Sequence, residues 1–530
     1  MANYLADKSV LIVAKKLEDL GELRALVAET GARDVLVASS ANMAFNLLRS
    51  QPFDVCLVEY RLGEGEKNGF QVIEEASREG LRRAVDIYAL VSPEKSELLS
   101  HDSVDVIADT QFLKPVQPVY FHQRLEKLLK VKKAVYPVES LVDNDELDKA
   151  LLVMDKLLRQ FPSLRSYLDR VRGRLLLKLE RWAEAAEHFK RVQADTDLPW
   201  SHTGLGICAY HQGLYEDALA YFNQLLGKVP DSIEAYDWLS RVYRGVGRNG
   251  DAQKVLEKAI QVLPTAPALQ SGLGDVASEN SDWDTAIKAF RGAVRFARHS
   301  VYKHQNNYFG LARCLQTRVS PHGGMQSSEA STEAVRTLED VVEQYFDNQL
   351  IRFKSKLMTS ETYKKSGDIS RANVAAKDAF EVFRQLSDGQ QAEELDNLLE
   401  GVEGTNQQDA VEEYRTEFNR RVFSETEWGQ HNLAGMNAYR KGHFDDALKS
   451  FMAALDAVPN SPSVMLNLVQ TGYELIRQQP ERSGEILALC NSKLLRMSIG
   501  AMNSKQQERY RFLSQRRAEL AAGSSRSGGN

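Results

Sequence analysis

The chain has 530 residues, of which 43% are hydrophobic and 26% are charged. This composition is typical of a folded globular protein and does not fit a disordered or a membrane-spanning chain. The 67 basic and 73 acidic residues give a formal net charge of −6, so bulk charge does not favour binding to a nucleic acid.

Two local features narrow the class further. The first apolar run, residues 10–14, is too short for a signal peptide or a membrane span, so we expect a cytoplasmic protein without a membrane partner. Four scattered cysteines lack the spacing of a metal site, which predicts buried, reduced thiols. They are Cys56, Cys208, Cys314 and Cys490. We expect neither a bound metal nor a cofactor.

Short β-branched runs alternate with helical stretches between residue 8 and about residue 130. The runs are residues 9–14, 34–38, 54–59, 87–92 and 110–113. Strands separated by helices predict an α/β domain with a parallel five-stranded sheet. Functional groups of such a domain collect where the strands end. Here those ends carry Ala14 and Lys15, then Glu59, Ser92 and Lys114.

In layout, this segment resembles the receiver domain of bacterial response regulators, which has the flavodoxin-like fold. A hydroxyl at Ser92 ends the fourth run, and the Lys114-Pro115 pair ends the fifth. The resemblance implies an acidic pair that holds Mg²⁺ after the first strand and a phosphoaccepting aspartate after the third. The family also often has an aromatic residue three positions before the lysine, where this chain has Gln111.

The chain departs from that pattern at the residues that carry the chemistry. Ala14 and Lys15 replace the acidic pair, and Glu59 replaces the aspartate. Magnesium needs oxygen ligands, and without it the charge that develops in phosphoryl transfer lacks its main stabiliser. We therefore expect a degenerate receiver. Two interpretations stay open: Lys15 and Lys114 flank Glu59 in a locked, active-like pocket, or the three form a structural ion-pair network.

After the α/β segment, a 34-residue repeat dominates the chain. Ala218, Ala252 and Ala286 recur at this interval, each in the second half of a unit. Together with small and aromatic residues at fixed offsets, the interval resembles the tetratricopeptide pattern, which implies paired helices stacked as an all-α solenoid. One unit reads Leu205, Gly206, Gly213, Ala218, Phe222 and Pro230.

These features divide the chain into four parts. We expect the degenerate receiver at 1–133 and, after a short break at Tyr136-Pro137, the repeat array at 134–500 with an insertion near 316–332. A capping helix is expected at 501–522, and the Gly- and Ser-rich residues 523–530 are expected to form a disordered tail.

The resemblance also implies where a partner binds, because first helices of successive tetratricopeptide units line a groove. We call the residues carried over to this chain the groove positions. They are Tyr167, Arg170, Arg174, Lys178, Trp200, Tyr210, His211, Glu234, Asp237, Arg241, Arg244, Asp275 and Glu279. Aromatic residues and arginines dominate binding hot spots. We expect Trp200, Tyr210, Arg241 and Arg244 to be partly exposed on one concave surface.

The sequence thus indicates a non-catalytic signalling adaptor of a bacterial two-component network that binds protein partners. Two alternatives stay open. One is a phosphorylatable response regulator with a protein-interaction output, and the other is a scaffold for an RNA-processing or envelope complex. The sequence does not define the oligomeric state.

Overall fold

The computed structural model describes residues 3–32, 34–63, 66–93, 103–105, 108–298, 300, 302–497, 502 and 504–527. The side chains of 419, 420, 422–425, 518, 519 and 521–527 are outside this description. The chain divides into two compact units. The first contains Met1–Ala235 and Ala297–Lys303, and the second contains Tyr236–Phe296 and His304–Asn530.

The first unit begins with a parallel sheet, which has five strands within the described residues. The strands are β1 (Ser9–Val13), β2 (Asp34–Ala38), β3 (Val55–Glu59), β4 (Ile87–Ser92) and β5 (Thr110–Leu113). Their order is β2-β1-β3-β4-β5, and every neighbouring pair is parallel. This is the doubly wound, flavodoxin-like order. The predicted fold class of this domain is confirmed.

Helices cover both faces of the sheet, as the uninterrupted apolar strands require. They are α1 (Leu17–Ala28), α2 (Ala41–Ser50), α3 (Gly69–Arg78) and α4 (Pro118–Asp143). Because strand side chains alternate between faces, Cys56 and Val58 pack in the cluster with Phe45 of α2. Val55 and Leu57 pack in the opposite cluster. The core of this domain therefore lies in two layers.

Helix α4 corrects the expected break between the domain and the repeats. It runs from Pro118 to Asp143 without interruption and contains Pro137. A proline inside a helix removes one backbone hydrogen bond. The helix continues because its flanks are packed: Val135 and Val138 are each 1% exposed, and Glu139 is buried too. The α/β domain and the first repeats therefore share one continuous helix.

Helices make up the rest of the chain. In the described part of the first unit, α5 to α9 are Leu147–Gln160, Arg165–Lys178, Trp182–Thr196, Pro199–His211 and Tyr215–Lys228. Helix α10 (Ile233–Gly245) crosses into the second unit. There follow α11 to α17: Asn249–Val262, Pro267–Glu279, Trp283–Ala297, Gln305–Gln316, Gly324–Gln344, Gln349–Ser366 and Ile369–Phe383.

The last helices, α18 to α24, are Asp388–Val402, Gln408–Glu425, Glu427–Arg440, Phe444–Ala457, Pro462–Gln478, Ser483–Arg496 and Ser504–Ser527. In the region of the expected insertion, seven residues join α14 to α15, and α15 is 21 residues long. Helix pairs such as α8 with α9, α16 with α17, and α20 with α21 pack against each other, as the repeat pattern predicted.

Glycines permit the close packing of these helices. A Cβ atom added to Gly204 would lie 2.4 Å from the ring of Phe189, and one added to Gly206 would lie 2.5 Å from the ring of Phe222. Both rings are fully buried. The small residues of the repeat pattern therefore make room for the aromatic residue of a neighbouring helix.

The chain end differs from the expectation of a tail that begins at Gly523. Helix α24 continues to Ser527, while residues 528–530 lie outside the described residues. Glycine and serine lower helix propensity, but unlike proline they leave the backbone hydrogen bonds intact.

Two further findings concern side chains and helix length. Cys56, Cys208, Cys314 and Cys490 are free and buried, as predicted. Within the described ranges, no helix combines the length and the apolar character that crossing a bilayer requires.

Candidate functional site

The carboxyl edge of the sheet brings Glu59 and Lys114 together. Glu59 is the last residue of β3, and Lys114 directly follows β5. The Lys114 Nζ atom lies 2.5 Å from Glu59 Oε2 and 2.7 Å from Oδ1 of Asp19. Asp19 belongs to the first turn of α1, which begins just after β1. One ammonium group thus bridges two carboxylates at this edge.

The expected role of Lys15 was wrong. Its ammonium lies 3.3 Å from Glu66 and its side chain is 49% exposed, so it does not flank Glu59. Ala14 is fully buried. The sequence analysis did not predict Asp19, because this residue lies in the first turn of α1 and not directly after the strand. A carboxylate in the first turn of the helix that follows a strand lies close to the same edge of the sheet, and this position could have indicated Asp19.

Burial controls the electrostatics of this group. The Glu59 side chain is 3% exposed, and burial raises the pKa of its carboxyl, although the bond to Lys114 opposes this shift. Burial works against the charge on Lys114, but its bonds to Asp19 and Glu59 outweigh burial and raise the pKa of Lys114. At neutral pH Lys114 therefore stays cationic and occupies the carboxylate oxygens.

The remaining strand-end residues are also engaged. Gln111 donates a hydrogen bond from Nε2 to the buried Ser92 Oγ over 2.5 Å. Phe112, the next residue, packs on the opposite face, with its ring centroid 4.9 Å from that of Phe121. Among the described residues, no group of three or more His, Cys, Asp and Glu side chains could hold a metal ion. The residues at this edge do not fit a divalent-cation site.

A buried polar network joins the α/β domain to the repeats within the first unit. Lys132 of α4 binds Glu139 at 2.9 Å and Asp109 at 3.4 Å. Arg82 binds the same Asp109 at 2.9 Å. The Tyr167 hydroxyl of α6 donates to Glu139. Burial raises the pKa of Glu139, and burial beside that carboxylate raises the pKa of Tyr167. The junction is therefore fixed by paired charges.

Two groove positions contact the α/β domain instead of forming an open surface. Tyr167 belongs to the network above, and the Arg170 guanidinium donates to the backbone carbonyls of Ser103 and Val104. The predicted availability of Tyr167 and Arg170 for a partner is therefore wrong. Their polar atoms serve the junction.

The other α6 positions line a cavity of about 230 Å³, which we call the Arg174 cavity. The lining residues are Val104, Asp105, Arg174, Leu177, Lys178, Trp182, Ile207 and Glu234. Arg174 and Lys178 lie one helical turn apart on α6, while Ile207 and Glu234 belong to the first helices of the next two pairs. Two basic and two acidic side chains thus meet an aromatic ring and apolar groups in one opening.

Trp200 corrects the expectation of an exposed aromatic at the groove. Its side chain is 4% exposed and lies in a core cluster with Val104, Leu176 and Phe189. The Trp200 ring packs edge to face on the Phe189 ring at 6.0 Å between centroids, and the same cluster contains Val104 of the α/β domain. Nearby, Tyr210 is half-buried and His211 is exposed. The His211 ring stacks on Trp182 at 4.0 Å between centroids.

The positions that lie in the second unit also differ from one another. Arg241 is 50% exposed, binds Asp237 at 2.9 Å and lies over the Trp238 ring. Arg244 is only 14% exposed and binds Glu279 at 2.5 Å. The expected exposure of Arg244 was therefore wrong, because its guanidinium is held in a nearly buried ion pair.

A second cavity, of about 260 Å³, lies beside that pair, and we call it the Arg244 cavity. Its lining residues are Arg244, Asp275, Ser278, Glu279, Trp283, Phe290, Gly310, Arg313, Cys314, Thr317, Lys365, Met497, Ser504, Gln507 and Arg511. Burial raises the pKa of Asp275 to about 6 and Glu279 adds to this, although Arg244 opposes it. Residues of α24 form part of the wall.

Comparison with known proteins agrees with the packing of helix pairs. The family model described as tetratricopeptide repeat matches residues 138–199, 171–233 and 239–300. The chain contains tetratricopeptide repeats. The first of these matches begins inside α4, so the repeat pattern starts within the helix that also packs on the sheet.

Individual similar proteins are distant. Human "Tetratricopeptide repeat protein 13" is 29% identical over 133 residues, which are 25% of this chain and 14% of that protein. The chain thus spans about a seventh of the length of this curated relative. A tetratricopeptide protein from Parabacteroides merdae is 15% identical with a TM-score of 0.31, covering 47% of this chain and 92% of that one. YrrB, described as having an unusual peptide-binding site, is 19% identical with a TM-score of 0.31, covering 37% and 93%.

Proposed function

We propose that this chain is a non-catalytic adaptor that binds a protein partner through the first helices of its tetratricopeptide repeats. Its α/β domain is, in this proposal, a degenerate receiver of a bacterial two-component network. The buried free cysteines fit a reducing compartment, so the proposal assigns the chain to the cytoplasm.

The observation that carries the adaptor role is the Arg174 cavity. Arg174, Lys178 and the Trp182 side chain line this cavity, which opens beside the first helices of successive repeats. Arginine and tryptophan are enriched where interfaces derive most of their binding energy. A partner segment with a carboxylate beside an apolar residue would satisfy both kinds of group.

The charge arrangement at the sheet edge supports a receiver without phosphoryl transfer. In-line transfer needs a free carboxylate and a divalent cation that neutralises the developing charge. Both Glu59 and Asp19 bind the Lys114 ammonium instead. The strand order supports the receiver-like assignment, and the link to a two-component network rests on the sequence resemblance alone.

The adaptor role is tested by reversing charge in the cavity. We expect the full chain to capture a defined protein from its native host in a quantitative pull-down. The double variant Arg174→Glu with Lys178→Glu should capture at least tenfold less of that protein. The matched control is Lys156→Glu with Lys190→Glu, two exposed lysines on α5 and α7. Equal capture by both double variants would reject this surface.

The phosphorylatable alternative has its own test. Titrating the full chain with Mg²⁺ and beryllofluoride in a calorimeter should give no saturable heat, because Lys114 holds both carboxylates. Micromolar binding would favour the phosphorylatable response regulator instead.

A further inference from the structure

Helix α24 is not an ordinary member of the helix stack. In a repeat array each unit contacts its neighbours. Helix α24 packs on α22 and α23, the preceding helices, but its contacts also reach much earlier helices of the second unit. The Ser504 amide donates to the Glu400 carboxylate of α18, and Arg517 donates to the Arg244 carbonyl of α10. A simple end cap would not make these contacts.

The contacts follow one face of an amphipathic helix. Among the described side chains of α24, the buried residues are spaced by four, three and four positions, the spacing of a helix that lies along a surface. They are Gln506, Tyr510, Leu513 and Arg517. Leu513 is fully buried and Tyr510 is 4% exposed, whereas Phe512 on the other face is 60% exposed. Helix α24 therefore binds the repeats through one side.

Charge is complementary across this contact. Residues 504–517 contain five basic residues and one acidic residue. Arg516 binds Glu474 of α22 at 3.0 Å, and Arg509 donates to Gln470 of the same helix. In the Arg244 cavity, Arg511 lies with Asp275 and Glu279 but also with three basic residues, Arg244, Arg313 and Lys365. The preference for a basic, amphipathic helix therefore comes from the α22 side of the covered surface.

Three residues beside α24 are groove positions, and a fourth lies on another first helix. Arg244, Asp275 and Glu279 lie on α10 and α12, and Gln470 lies on α22, all of them first helices of their pairs. At the first helices, where tetratricopeptide units would bind a ligand, this chain places its own helix α24. The Arg244 cavity remains beside α24, so the segment does not fill the surface completely.

We propose that the surface under α24 is a second binding surface for a basic amphipathic helix of a protein partner, and that α24 occupies it until that partner displaces it. The inference rests on the proposed adaptor function and specifies the chemistry of a partner. It uses the Arg244 region of the second unit, whereas the function test above uses Arg174 and Lys178 in the first.

Tethering sets the size of the expected effect. A segment attached to its own surface competes at an effective concentration in the millimolar range. If α24 is docked in 99% of molecules, a competing helix binds the full chain about 100-fold more weakly than it binds the open surface. Loosening α24 should therefore strengthen binding of an added helix.

The test uses a fluorescent synthetic peptide of residues 504–522 and the full chain in three forms: the parent, Leu513→Asp and Phe512→Asp. We expect the peptide to bind Leu513→Asp at least tenfold more tightly than the parent, because the buried leucine anchors α24. Phe512→Asp should match the parent. A peptide of the same composition in scrambled order should not bind any form.

A second experiment does not depend on the folding of Leu513→Asp. A protease site is inserted before residue 504, and the folded chain is cut and offered the labelled peptide. Exchange of α24 for the peptide supports the proposal. The proposal is overturned if the cut chain takes up no peptide, if scrambled peptide binds equally, or if the chain dimerises so that α24 of a second copy is the occupant. Any of these results leaves the Arg174 and Lys178 test unaffected.

Discussion

Arg517 donates a hydrogen bond to the backbone carbonyl of Arg244, which lies 273 positions earlier in the chain. The Arg517 side chain is 3% exposed, and its partner residue is itself paired with Glu279. Helix α24 thereby ties early and late helices of the second unit together. An open repeat array lacks such a link, because its units contact neighbours alone.

The first prediction concerns this link. Arg517→Ala should cost about 0.5 to 1.5 kcal/mol of local stability, because it removes one hydrogen bond to the Arg244 carbonyl, which still accepts from the Gly247 amide. Hydrogen exchange should then accelerate in α24 and at the end of α10. Lys505→Ala, an exposed residue of the same helix, is the control and should change neither rate. Unchanged exchange in Arg517→Ala would show that the contact contributes nothing.

The second prediction is a pH dependence from Asp275. Its pKa of about 6 in the folded chain lies above the ordinary value of 3.8. The folded state therefore holds the proton more tightly than the unfolded state, and stability rises as pH falls from 7 to 5. Between pH 7 and pH 5 this rise is about 1.4 kcal/mol, the free energy that corresponds to one pKa unit.

Asp275→Asn measures this contribution directly. At pH 7 the variant should melt at a higher temperature than the parent chain, because asparagine carries no charge to bury. This difference in melting temperature should be smaller at pH 5. The groups that face Asp275 across the cavity are Arg244, Glu279, Arg313, Lys365 and Arg511. Asp284→Asn, at an exposed position, should show no such difference. A pH-independent effect of Asp275→Asn would contradict the assignment.

The third prediction concerns the sheet edge. Glu59→Gln should destabilise the α/β domain by about 1 to 3 kcal/mol. Breaking a buried ion pair costs about 3 to 5 kcal/mol, but Lys114 keeps its bond to Asp19. Hydrogen exchange in β3 and β4 reports the change. The control is Glu79→Gln, whose pair with Arg49 is exposed and should matter by less than about 1 kcal/mol. Equal effects would mean that Glu59 has no special structural role.

The fourth prediction concerns helix packing. Gly204→Ala should destabilise the first repeats by about 1 to 3 kcal/mol, because its Cβ atom would overlap the Phe189 ring. Gly227→Ala is a matched control in the next helix, where a Cβ atom meets nothing within 4 Å. It should stabilise the chain by about 0.5 to 1 kcal/mol. Thermal unfolding followed by circular dichroism distinguishes the opposite signs.

The sequence predicted the local parts of this structure well. Strand runs such as residues 87–92 and the 34-residue spacing of Ala218 and Ala252 depend on neighbours along the chain, and both appear as expected. The sequence failed where distant segments meet. Trp200 is buried in a cluster that also contains Val104 of the α/β domain, and Arg244 is enclosed within the second unit beside α24.

Two other wrong predictions, at Pro137 and Lys15, rested on the type of a single residue. Pro137 suggested a break, but packing of Val135 and Val138 keeps α4 continuous. Lys15 stood at the right place in the sequence, yet its side chain points to Glu66, and Asp19 reaches Lys114 instead. Side-chain direction at a strand end depends on the following loop, which the pattern of residue types does not specify.

We expect the repeat surface around the Arg174 cavity to bind a protein. Site-specific photocrosslinking in the native cell tests it most directly, with a photoreactive phenylalanine derivative at Lys178 and, as a control, at Lys190 on the exposed side of α7. We expect a discrete covalent adduct with one protein from position 178 and none from position 190. No adduct at 178, or the same adducts at both positions, would contradict it.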